Sequence, residues 1–452
     1  IGKHYDLYKG ALFQTEVTGM TWDEESSRWI IETNQGDAIK TRFVAMANGP
    51  LNRPKLPGIP GVRDFKGHTF HTSRWDYTYT GGGPEGGLSN LADKRVAIIG
   101  TGATAVQCIP FLGEFAEQLY VFQRTPSSVD VRGNKPTDPE WAKSLTPGWQ
   151  KARMDNFNGL LSGVPQEADL VNDYWTDVII KIFQQFEKGK DSDMSPSELM
   201  EMANFEKMEE IRSRVDSLVE DPEVAEKLKP YYKMFCKRPT CSDEYLPTFN
   251  RPNVHLVDTD GKGVERITKK GLVVDGIEYE VDCIIFSTGF EVGTSYTRRA
   301  GYDPEGRDGI RLSEHWRKGT RTLHGMGCHG FPNFFIMNGQ QVGVPPNYPH
   351  LLDECAVHLA HIISHALDKN YKAVEVTRAA EQDWVDTIKG FGGRFDTIGL
   401  GASDCTPSYY NNEGKPNADA AQSTAYGGGS IRFFEILKEW RDAGDLEGLQ
   451  IS

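Results

Sequence analysis

The chain has 452 residues, 38% hydrophobic and 25% charged, a composition that suits two or three folded domains. Lys and Arg number 50 against 64 Asp and Glu, so the formal net charge is −14. This acidic balance, without a Lys/Arg tract, argues against nucleic acid or a membrane surface as a partner, and no apolar run approaches the roughly 18 residues of a membrane-spanning helix.

The first 50 residues predict a β-rich segment. Short runs of strand-forming residues lie at Phe13–Val17, Trp29–Thr33 and Phe43–Ala47, with a turn over residues 34–37. We expect an antiparallel meander. It ends in Ala47-Asn48-Gly49-Pro50, and further prolines then stiffen the exit from it.

A segment of unusual spacing follows at residues 65–76. It reads F-x-G-x-x-x-H-x-x-x-W-D, and its demanding positions are Phe65, Gly67, His71 and Trp75. Neither helix nor strand periodicity explains this spacing. The sequence therefore predicts a connecting segment with special contacts; the alternative is an ordinary loop with a buried His and Trp.

The apolar run Arg95–Ile99 leads into a glycine turn, G-x-G-x-x-A, that precedes a helix. In this context the glycines let the backbone approach a pyrophosphate, and the helix N-terminus supplies N–H groups. The residues predicted to bind a dinucleotide here are Gly100, Thr101, Gly102, Ala103, Thr104, Ala105 and Gln107.

The next predicted strand, 119–122, ends at Gln123-Arg124-Thr125, roughly 20 residues after the turn. An NAD-binding unit places Asp or Glu there for the ribose hydroxyl. Arg124 instead offers a cationic fork suited to a 2′-phosphate, so the sequence favours NADP; Thr125 is assigned to the same site. The alternative is a surface arginine that ends a strand.

Residues 138–230 are predicted to be helical from repeated cap-Pro-acid starts such as Asp138-Pro139-Glu140. Lys237-Arg238-Pro239 follows an aromatic run, and short strands then lead to Ser287-Thr288-Gly289-Phe290. Residues 330–339 read as a strand that enters a loop, and 340–346 show no periodicity. Amphipathic helices are expected at Leu351–Leu367 and Ile431–Asp442.

Seven cysteines are scattered through the chain, which predicts reduced thiols and a cytoplasmic location. Cys236 and Cys241 have the C-x-x-x-x-C spacing of a disulfide-reductase pair. In those enzymes the pair closely follows an FAD-binding glycine motif, and here it does not. We therefore expect buried structural thiols, and we predict no metal site.

These motifs together resemble the type I Baeyer–Villiger monooxygenases, flavoenzymes that insert oxygen beside a ketone carbonyl. The resemblance spans nearly the whole chain and rests on the 65–76 fingerprint before the glycine turn, F-Q-R-T-P, K-R-P and T-G-F. It implies an α/β fold with two dinucleotide-binding, Rossmann-like domains, in which the NADP domain is inserted in the FAD domain and carries a helical insertion. The implied parts are 1–52 (FAD domain), 53–134 (NADP domain), 135–232 (helical insertion), 233–284 (NADP domain) and 285–452 (FAD domain with substrate and cofactor loops).

The resemblance also implies the chemistry: FAD, NADPH and O2 convert a small-molecule ketone to an ester or lactone through a C4a-peroxyflavin. Arg238 matches the catalytic arginine and Lys237 an NADP contact. Tyr409 lies in a segment, 405–415, that resembles the loop covering NADP, and Tyr there instead of Trp implies bulky cyclic ketones. Val344, Pro345 and Tyr409 are expected to face the substrate. Val17 and Asn48 are expected to contact FAD, with Asn48 standing where the family has Thr.

One departure from the family concerns its N-terminal βαβ unit, which carries an FAD-binding glycine motif of its own. That unit is absent from the sequence as given, so we expect FAD to be held weakly. Two alternatives stay open. One is a flavin monooxygenase that oxidises amines or sulfides, against which Trp75 and Arg238 argue. The other is a catalytically silent NADP-binding fragment.

Overall fold

The structure, a computed structural model, describes residues 1–188, 193–337, 339–391, 405–414 and 421–452. Asn338, in the predicted strand-to-loop segment, and Lys415, at the end of the predicted cofactor-covering segment, lie outside the described residues. Among the described helices, none combines the length and the apolar character that crossing a bilayer requires.

The strands of the described residues, in chain order, are β1 Val17–Asp23, β2 Arg28–Thr33, β3 Ala38–Thr41, β4 Val44–Met46, β5 His68–His71, β6 Arg95–Ile99, β7 Gln118–Gln123, β8 Val129–Asp130, β9 Thr240–Cys241, β10 Val254–Asp258, β11 Arg266–Ile267, β12 Gly271–Val274, β13 Ile277–Glu280, β14 Cys283–Phe286, β15 Phe334–Ile336, β16 Val374–Val376 and β17 Leu449–Ile451.

The α-helices are α1 Tyr77–Thr80, α2 Ala103–Phe115, α3 Pro139–Ser144, α4 Trp149–Leu161, α5 Tyr174–Lys188, α6 Pro196–Leu218, α7 Pro222–Leu228, α8 Tyr245–Thr248, α9 Tyr296–Ala300, α10 Leu312–His315, α11 Tyr348–Asp368, α12 Arg378–Gly390 and α13 Gly429–Ala443. Short 3-10 helices lie at Leu7–Gly10, Thr72–Arg74, Ser89–Leu91, Met234–Cys236, Arg307–Gly309 and Tyr409–Gly414.

The chain divides into two compact units. The first comprises Ile1–Asn52, Gly293–Arg394 and Asn417–Ser452, and the second comprises Arg53–Val292 and Phe395–Pro416. The described residues 405–414 thus pack within the second unit, although they are close to the C-terminus in sequence. The five-part domain division implied by the sequence stays a prediction.

The second unit is organised around a five-stranded, all-parallel sheet in the order β10-β7-β6-β14-β5. Helix α2 packs on this sheet and buries Val106, Ile109 and Leu112 against it. β6 and β14 read as nearly continuous apolar runs because a parallel sheet is covered on both faces. This is the predicted dinucleotide-binding α/β unit.

The sheet corrects one prediction. Residues 68–71 are not part of a connecting segment: they form β5, an edge strand whose Phe70 pairs with Ile285 and His71 with Phe286. A four-residue strand is too short for its period-2 alternation to be read from sequence. After β5 the predicted segment leaves the sheet through the 3-10 helix Thr72–Arg74.

A helical insertion, α3 to α7, begins after β8 and ends before β9, and these two strands form a separate two-stranded sheet. These two short strands pair in parallel, Val129 with Thr240, so the insertion starts and ends at neighbouring points. Lys207 of α6, 5% exposed in its side chain, forms ion pairs at 2.7 Å with both Asp130 and Asp177. A buried ammonium requires such partners, and these bonds fasten the insertion to the end of β8.

The first unit contains an antiparallel sheet, β1-β2-β3, as predicted for the N-terminal meander. Two details of that prediction are wrong. The first strand begins at Val17, because Gln14 has a positive φ of 55° that interrupts an extended run. The predicted strand Phe43–Ala47 appears as β4, but it pairs in parallel with β15, about 290 residues away, and is not part of the meander.

Candidate cofactor and active site

Four neighbouring strands of the second unit end at one edge of the parallel sheet. Gly100 follows β6, Arg124 follows β7, Gly289 lies three residues after β14, and His71 ends β5. Because the strands are parallel, their carboxyl ends share an edge, and ligands of such sheets bind beyond that edge. The structure therefore brings the predicted glycine turn, Arg124 and the fingerprint to one edge of the sheet.

The glycine turn between β6 and α2 has the geometry that a dinucleotide requires. Gly100 has φ 108°, and a Cβ there would come within 2.4 Å of the Ser287 carbonyl oxygen, so only glycine fits. Gly102 is the N-cap residue of the 13-residue α2, and because it has no side chain it forms no capping hydrogen bond to the first turn. A Cβ placed on Gly102 would meet nothing within 4 Å. The turn is open and its backbone donors suit a pyrophosphate.

Side chains around the turn hold it to the end of β7. The Thr101 hydroxyl donates a hydrogen bond of 2.9 Å to the Thr125 carbonyl, and the Ser127 hydroxyl donates to the Thr101 carbonyl. Ala105 is buried under the sheet, whereas Thr104 and Gln107 are exposed on α2, where Gln107 Nε2 donates to the Ala103 carbonyl. Ala103 is half-buried. All seven predicted turn residues thus lie at one helix start.

The glycine and histidine of the fingerprint have clear local roles. A Cβ on Gly67 would come within 2.5 Å of both the Asp282 carbonyl and the Phe65 ring, so the approach of these groups requires glycine. His71 is buried; its Nδ1 accepts a hydrogen bond from the Ser73 backbone N–H at 3.1 Å and so caps the 3-10 helix. Burial lowers the pKa of His71, and the imidazole is neutral at neutral pH.

Trp75 fixes the end of the same segment. Its indole Nε1 donates a hydrogen bond to the Thr80 hydroxyl at 3.1 Å, and its ring packs edge-on against Phe70, with 5.3 Å between centroids. The fingerprint therefore shapes the edge strand and its exit at the carboxyl edge. The segment thus contains the buried His and packed Trp of an ordinary loop, and these contacts occur at the carboxyl edge of the parallel sheet.

Three cations, which we call the cation cluster, lie beyond this edge: Lys55, Arg124 and Lys237. One carboxylate, Glu413, bridges two of them, with Oε1 3.2 Å from Lys55 Nζ and Oε2 3.2 Å from an Arg124 Nη. Burial lowers the pKa of Lys237 to about 8, and repulsion by Arg124 adds to this while Glu413 opposes it. Lys237 Nζ also donates to the Pro407 carbonyl at 3.4 Å. The sequence had singled out neither Lys55 nor Glu413: Lys55 lies in a proline-rich loop, and Glu413 lies in the predicted segment 405–415, where no spacing marks it.

A disulfide joins Cys236 to Cys405, 169 residues later in the chain. This corrects the prediction of structural thiols for both residues, and it removes the argument from scattered thiols to a reducing compartment. The separation of 169 residues does not predict this disulfide, because only the fold brings the two segments together. The Ser408 hydroxyl adds a hydrogen bond of 2.8 Å to the Cys236 carbonyl, so residues 405–408 are fastened beside Lys237 and Arg238.

The disulfide leads to a simple count. Denatured, unreduced protein should show five reactive thiols, since Cys108, Cys241, Cys283, Cys328 and Cys355 are free. Cys405→Ser should lower the free energy of unfolding of the oxidised protein by about 2–5 kcal/mol, because a long loop is no longer closed in the unfolded chain. Cys241→Ser, which removes a thiol without breaking the bond, is the control. Seven reactive thiols before reduction would contradict the pairing.

Arg238 is exposed directly after this disulfide-linked segment, and no described residue forms an ion pair or hydrogen bond with it. Two tyrosine hydroxyls lie in its field. Burial raises the pKa of Tyr174 and of Tyr410, and the Arg238 charge opposes that rise in both. A permanent cation whose side chain is not engaged by a carboxylate is available to oxygen anions.

The other predicted site residues lie mainly in the first unit. Val17 begins β1, and the Asn48 side-chain carbonyl accepts a hydrogen bond of 3.4 Å from the Tyr296 hydroxyl. Val344 is exposed and Pro345 buried in a stretch without regular structure, as the missing periodicity predicted. Tyr409 belongs to the second unit; it is exposed and packs against Tyr410, with 4.4 Å between ring centroids.

Across the described residues, no group of three or more His, Cys, Asp and Glu has an arrangement that could hold a metal ion. The chemistry that the site can support comes from its cations, its backbone donors and its tyrosines. A bound redox cofactor would have to supply any electron transfer.

Comparison with known proteins assigns this arrangement to a family. The chain is 52% identical to neopentalenolactone D synthase of Streptomyces avermitilis, over all of this chain and 76% of that protein. It is 48% identical to a Baeyer–Villiger monooxygenase of Stachybotrys chlorohalonatus, over all of this chain and 72% of the relative. No protein-family model matches the chain.

Solved structures give the same picture. A polycyclic ketone monooxygenase from Thermothelomyces thermophila superimposes with a TM-score of 0.88 at 38% identity, covering all of this chain and 75% of that one. OTEMO in complex with FAD and NADP superimposes with a TM-score of 0.75 at 26% identity, covering all of this chain and 83% of that one. The predicted fold class is confirmed, and FAD and NADP are confirmed as the cofactors of this kind of protein.

Proposed function

Because this chain belongs to the type I Baeyer–Villiger monooxygenases, we propose that it converts a bulky cyclic ketone to a lactone with NADPH and O2. In the balanced reaction, ketone, O2, NADPH and a proton give lactone, NADP+ and water. Relatives whose names specify a lactone product and a polycyclic ketone substrate support this substrate class. The relatives give no support to an amine- or sulfide-oxidising enzyme or to a silent fragment.

The observation that carries the proposal is the shared edge of the parallel sheet. There the open glycine turn, the cation cluster and Arg238 occur in one unit, with the fingerprint strand beside them. A pyrophosphate fits the open glycine turn, and a 2′-phosphate fits the cation cluster. Arg238 then follows Lys237 directly, so the residue that binds cofactor and the residue that meets the reacting oxygen are neighbours.

Each residue of the turn has a proposed part in holding NADP. Backbone donors of Gly100 to Ala105 face the pyrophosphate, while Gln107 and Thr125 border the same turn. Arg124 and Lys237 bind the 2′-phosphate, which NAD lacks. Arg124 and Lys237 orient the nicotinamide of NADP only indirectly, because they bind the phosphate at the opposite, adenosine end of the molecule.

FAD, when bound, supplies the hydride acceptor for NADPH and the activation of O2. We propose that Val17 and Asn48 of the first unit contact it. The assignment of Val344, Pro345 and Tyr409 to the ketone stays a prediction. A cytoplasmic location and the absence of nucleic-acid partners stay predictions.

Arg238 is the proposed catalytic residue. A guanidinium is a permanent cation in proteins, and no described carboxylate forms an ion pair with Arg238. Its guanidinium can therefore stabilise the negative charge that develops on oxygen while the ketone is attacked. Tyr174 and Tyr410 are neutral at neutral pH, because burial raises the pKa of each hydroxyl, and they add no competing anion.

The pKa of Lys237 gives a pH prediction. Lys237 loses its proton as pH rises through about 8, so the site should then bind the 2′-phosphate less well. The dissociation constant of NADP+ should rise severalfold from about pH 7 to about pH 9, where the phosphate itself is already fully ionised. Titration calorimetry measures this directly. Lys237→Arg should abolish the rise, and NAD+ should show none; an equal rise for NAD+ would contradict the assignment.

The function itself is tested with a ketone panel. Protein reconstituted with FAD is given NADPH, O2 and matched small monocyclic and fused polycyclic ketones, and products are identified by mass. The proposal requires an added oxygen atom in the polycyclic products and faster turnover of these than of the small ketones. Oxidation of amines or sulfides without any ketone oxygenation would contradict it.

A further inference from the structure

The carboxylate of Glu413 uses both of its oxygens on the cation cluster. Oε1 pairs with Lys55 and Oε2 with Arg124, each at 3.2 Å. Its pKa is lowered: burial opposes this, but pairing with Lys55 and Arg124 outweighs burial, so Glu413 is ionised at neutral pH. One anion thus spans two members of the cation cluster, and one of them, Arg124, is assigned to the 2′-phosphate.

The chain holds Glu413 in this place through its backbone. Its N–H donates to the Ser408 carbonyl at 2.7 Å, and its φ of 57° is in the left-handed region that non-glycine residues seldom adopt. Ser408 is in turn bonded to Cys236, and Cys405 is joined to Cys236 by the disulfide. One end of the segment is therefore anchored, and Glu413 lies at its other end, in the 3-10 helix Tyr409–Gly414.

The charges around the cluster need an anion. Lys237 and Arg124 repel each other enough to contribute to the low pKa of Lys237, and Glu413 partly offsets this. A bound 2′-phosphate carries a charge of about −1.5 to −2 and would be repelled by a carboxylate already on the same cations. The two anions are chemical equivalents here, since each presents oxygens that can bridge an ammonium and a guanidinium.

We propose that Glu413 is an internal competitor for the 2′-phosphate: in the cofactor-free protein it pairs with Lys55 and with Arg124, which we assign to that phosphate, and NADP displaces it from Arg124. The inference rests on the proposed role of Arg124 and Lys237 in NADP binding. It makes Glu413 a specificity-determining residue, because a ligand without a 2′-phosphate has no group with which to displace the carboxylate. It also ties the arrival of the phosphate to release of the segment 409–414.

The test uses adenosine 2′,5′-bisphosphate as the probe and 5′-AMP as the matched ligand that lacks the 2′-phosphate. In Glu413→Gln the carboxylate charge is lost and the size is kept, so the bisphosphate should bind about three- to tenfold more tightly, as expected for two partly exposed pairs. The affinity for 5′-AMP should not change. Asp93→Asn removes the same charge from the opposite end of β6, where Asp93 is 78% exposed, and should change neither.

Hydrogen exchange supplies a readout that does not depend on activity. The amides of residues 409–414 should exchange faster in Glu413→Gln, and also in wild-type protein saturated with the bisphosphate, than in the free wild type. Ser408, beside the disulfide-anchored end, should change little. In an Arg124→Ala background, the gain from Glu413→Gln should shrink, because the competition for that cation is gone.

The outcomes separate the inference from the function on which it rests. If Arg124→Ala weakens the bisphosphate but Glu413→Gln leaves its affinity unchanged or weakens it, the competition is refuted and the cofactor site stands. Equal tightening of 5′-AMP also refutes it, since a general charge effect would then explain the result. If Arg124→Ala does not weaken the bisphosphate, the 2′-phosphate site is wrong and the inference is overturned with it.

Discussion

Replacing Arg238 by alanine should reduce lactone formation by about two decades or more, the loss typical of removing one preorganised donor to a developing oxyanion. NADPH oxidation should continue, because hydride transfer to the flavin requires no oxyanion stabiliser. The reducing equivalents should then appear as hydrogen peroxide. The physical basis is the exposed Arg238 guanidinium, which no described carboxylate engages.

The assay for this prediction measures NADPH, peroxide and lactone in parallel. Arg238→Lys should restore little activity, because an ammonium is a point charge and lacks the planar fork of a guanidinium. Lys237→Ala is an informative comparison: it should weaken NADP+ binding without the same shift from lactone to peroxide. Lactone formation at the wild-type rate in Arg238→Ala would disprove the catalytic role of Arg238.

The second large effect is expected at Arg124. Charge-assisted hydrogen bonds contribute about 1.5–3 kcal/mol, so Arg124→Ala should weaken NADPH binding by about one to two decades. The loss of affinity should fall towards the lower end of this range, because the Arg124 side chain is 50% exposed and is already paired with Glu413. NADH affinity should change little.

The control for Arg124 is Arg266→Ala, which removes the same charge from the separate three-stranded sheet, where Arg266 is 57% exposed. Its NADPH and NADH affinities should match the wild type. Dissociation constants for both cofactors, measured at one ionic strength, complete the test. Equal weakening of NADPH and NADH by Arg124→Ala would show that Arg124 does not recognise the 2′-phosphate.

Local signals in the sequence were sufficient for the dinucleotide-binding unit. β6 matches the predicted run Arg95–Ile99 because it is a short apolar run that ends at a glycine turn. The glycine turn and Arg124 could be assigned from spacing, since their roles depend on neighbours within about 25 residues. The family resemblance drew on the same short motifs, and the relatives confirm it.

The sequence by itself therefore determined the fold class and the family, and it placed the glycine turn between an apolar strand and a helix. Only the tertiary structure decided which distant segments meet: β4 with β15, Cys236 with Cys405, and Glu413 with Lys55, which are 358 residues apart. Periodicity and spacing report neighbours along the chain, whereas these contacts form only when the chain closes over hundreds of residues. For that reason the ion pairs of Glu413 with the cation cluster could be found only in the folded protein.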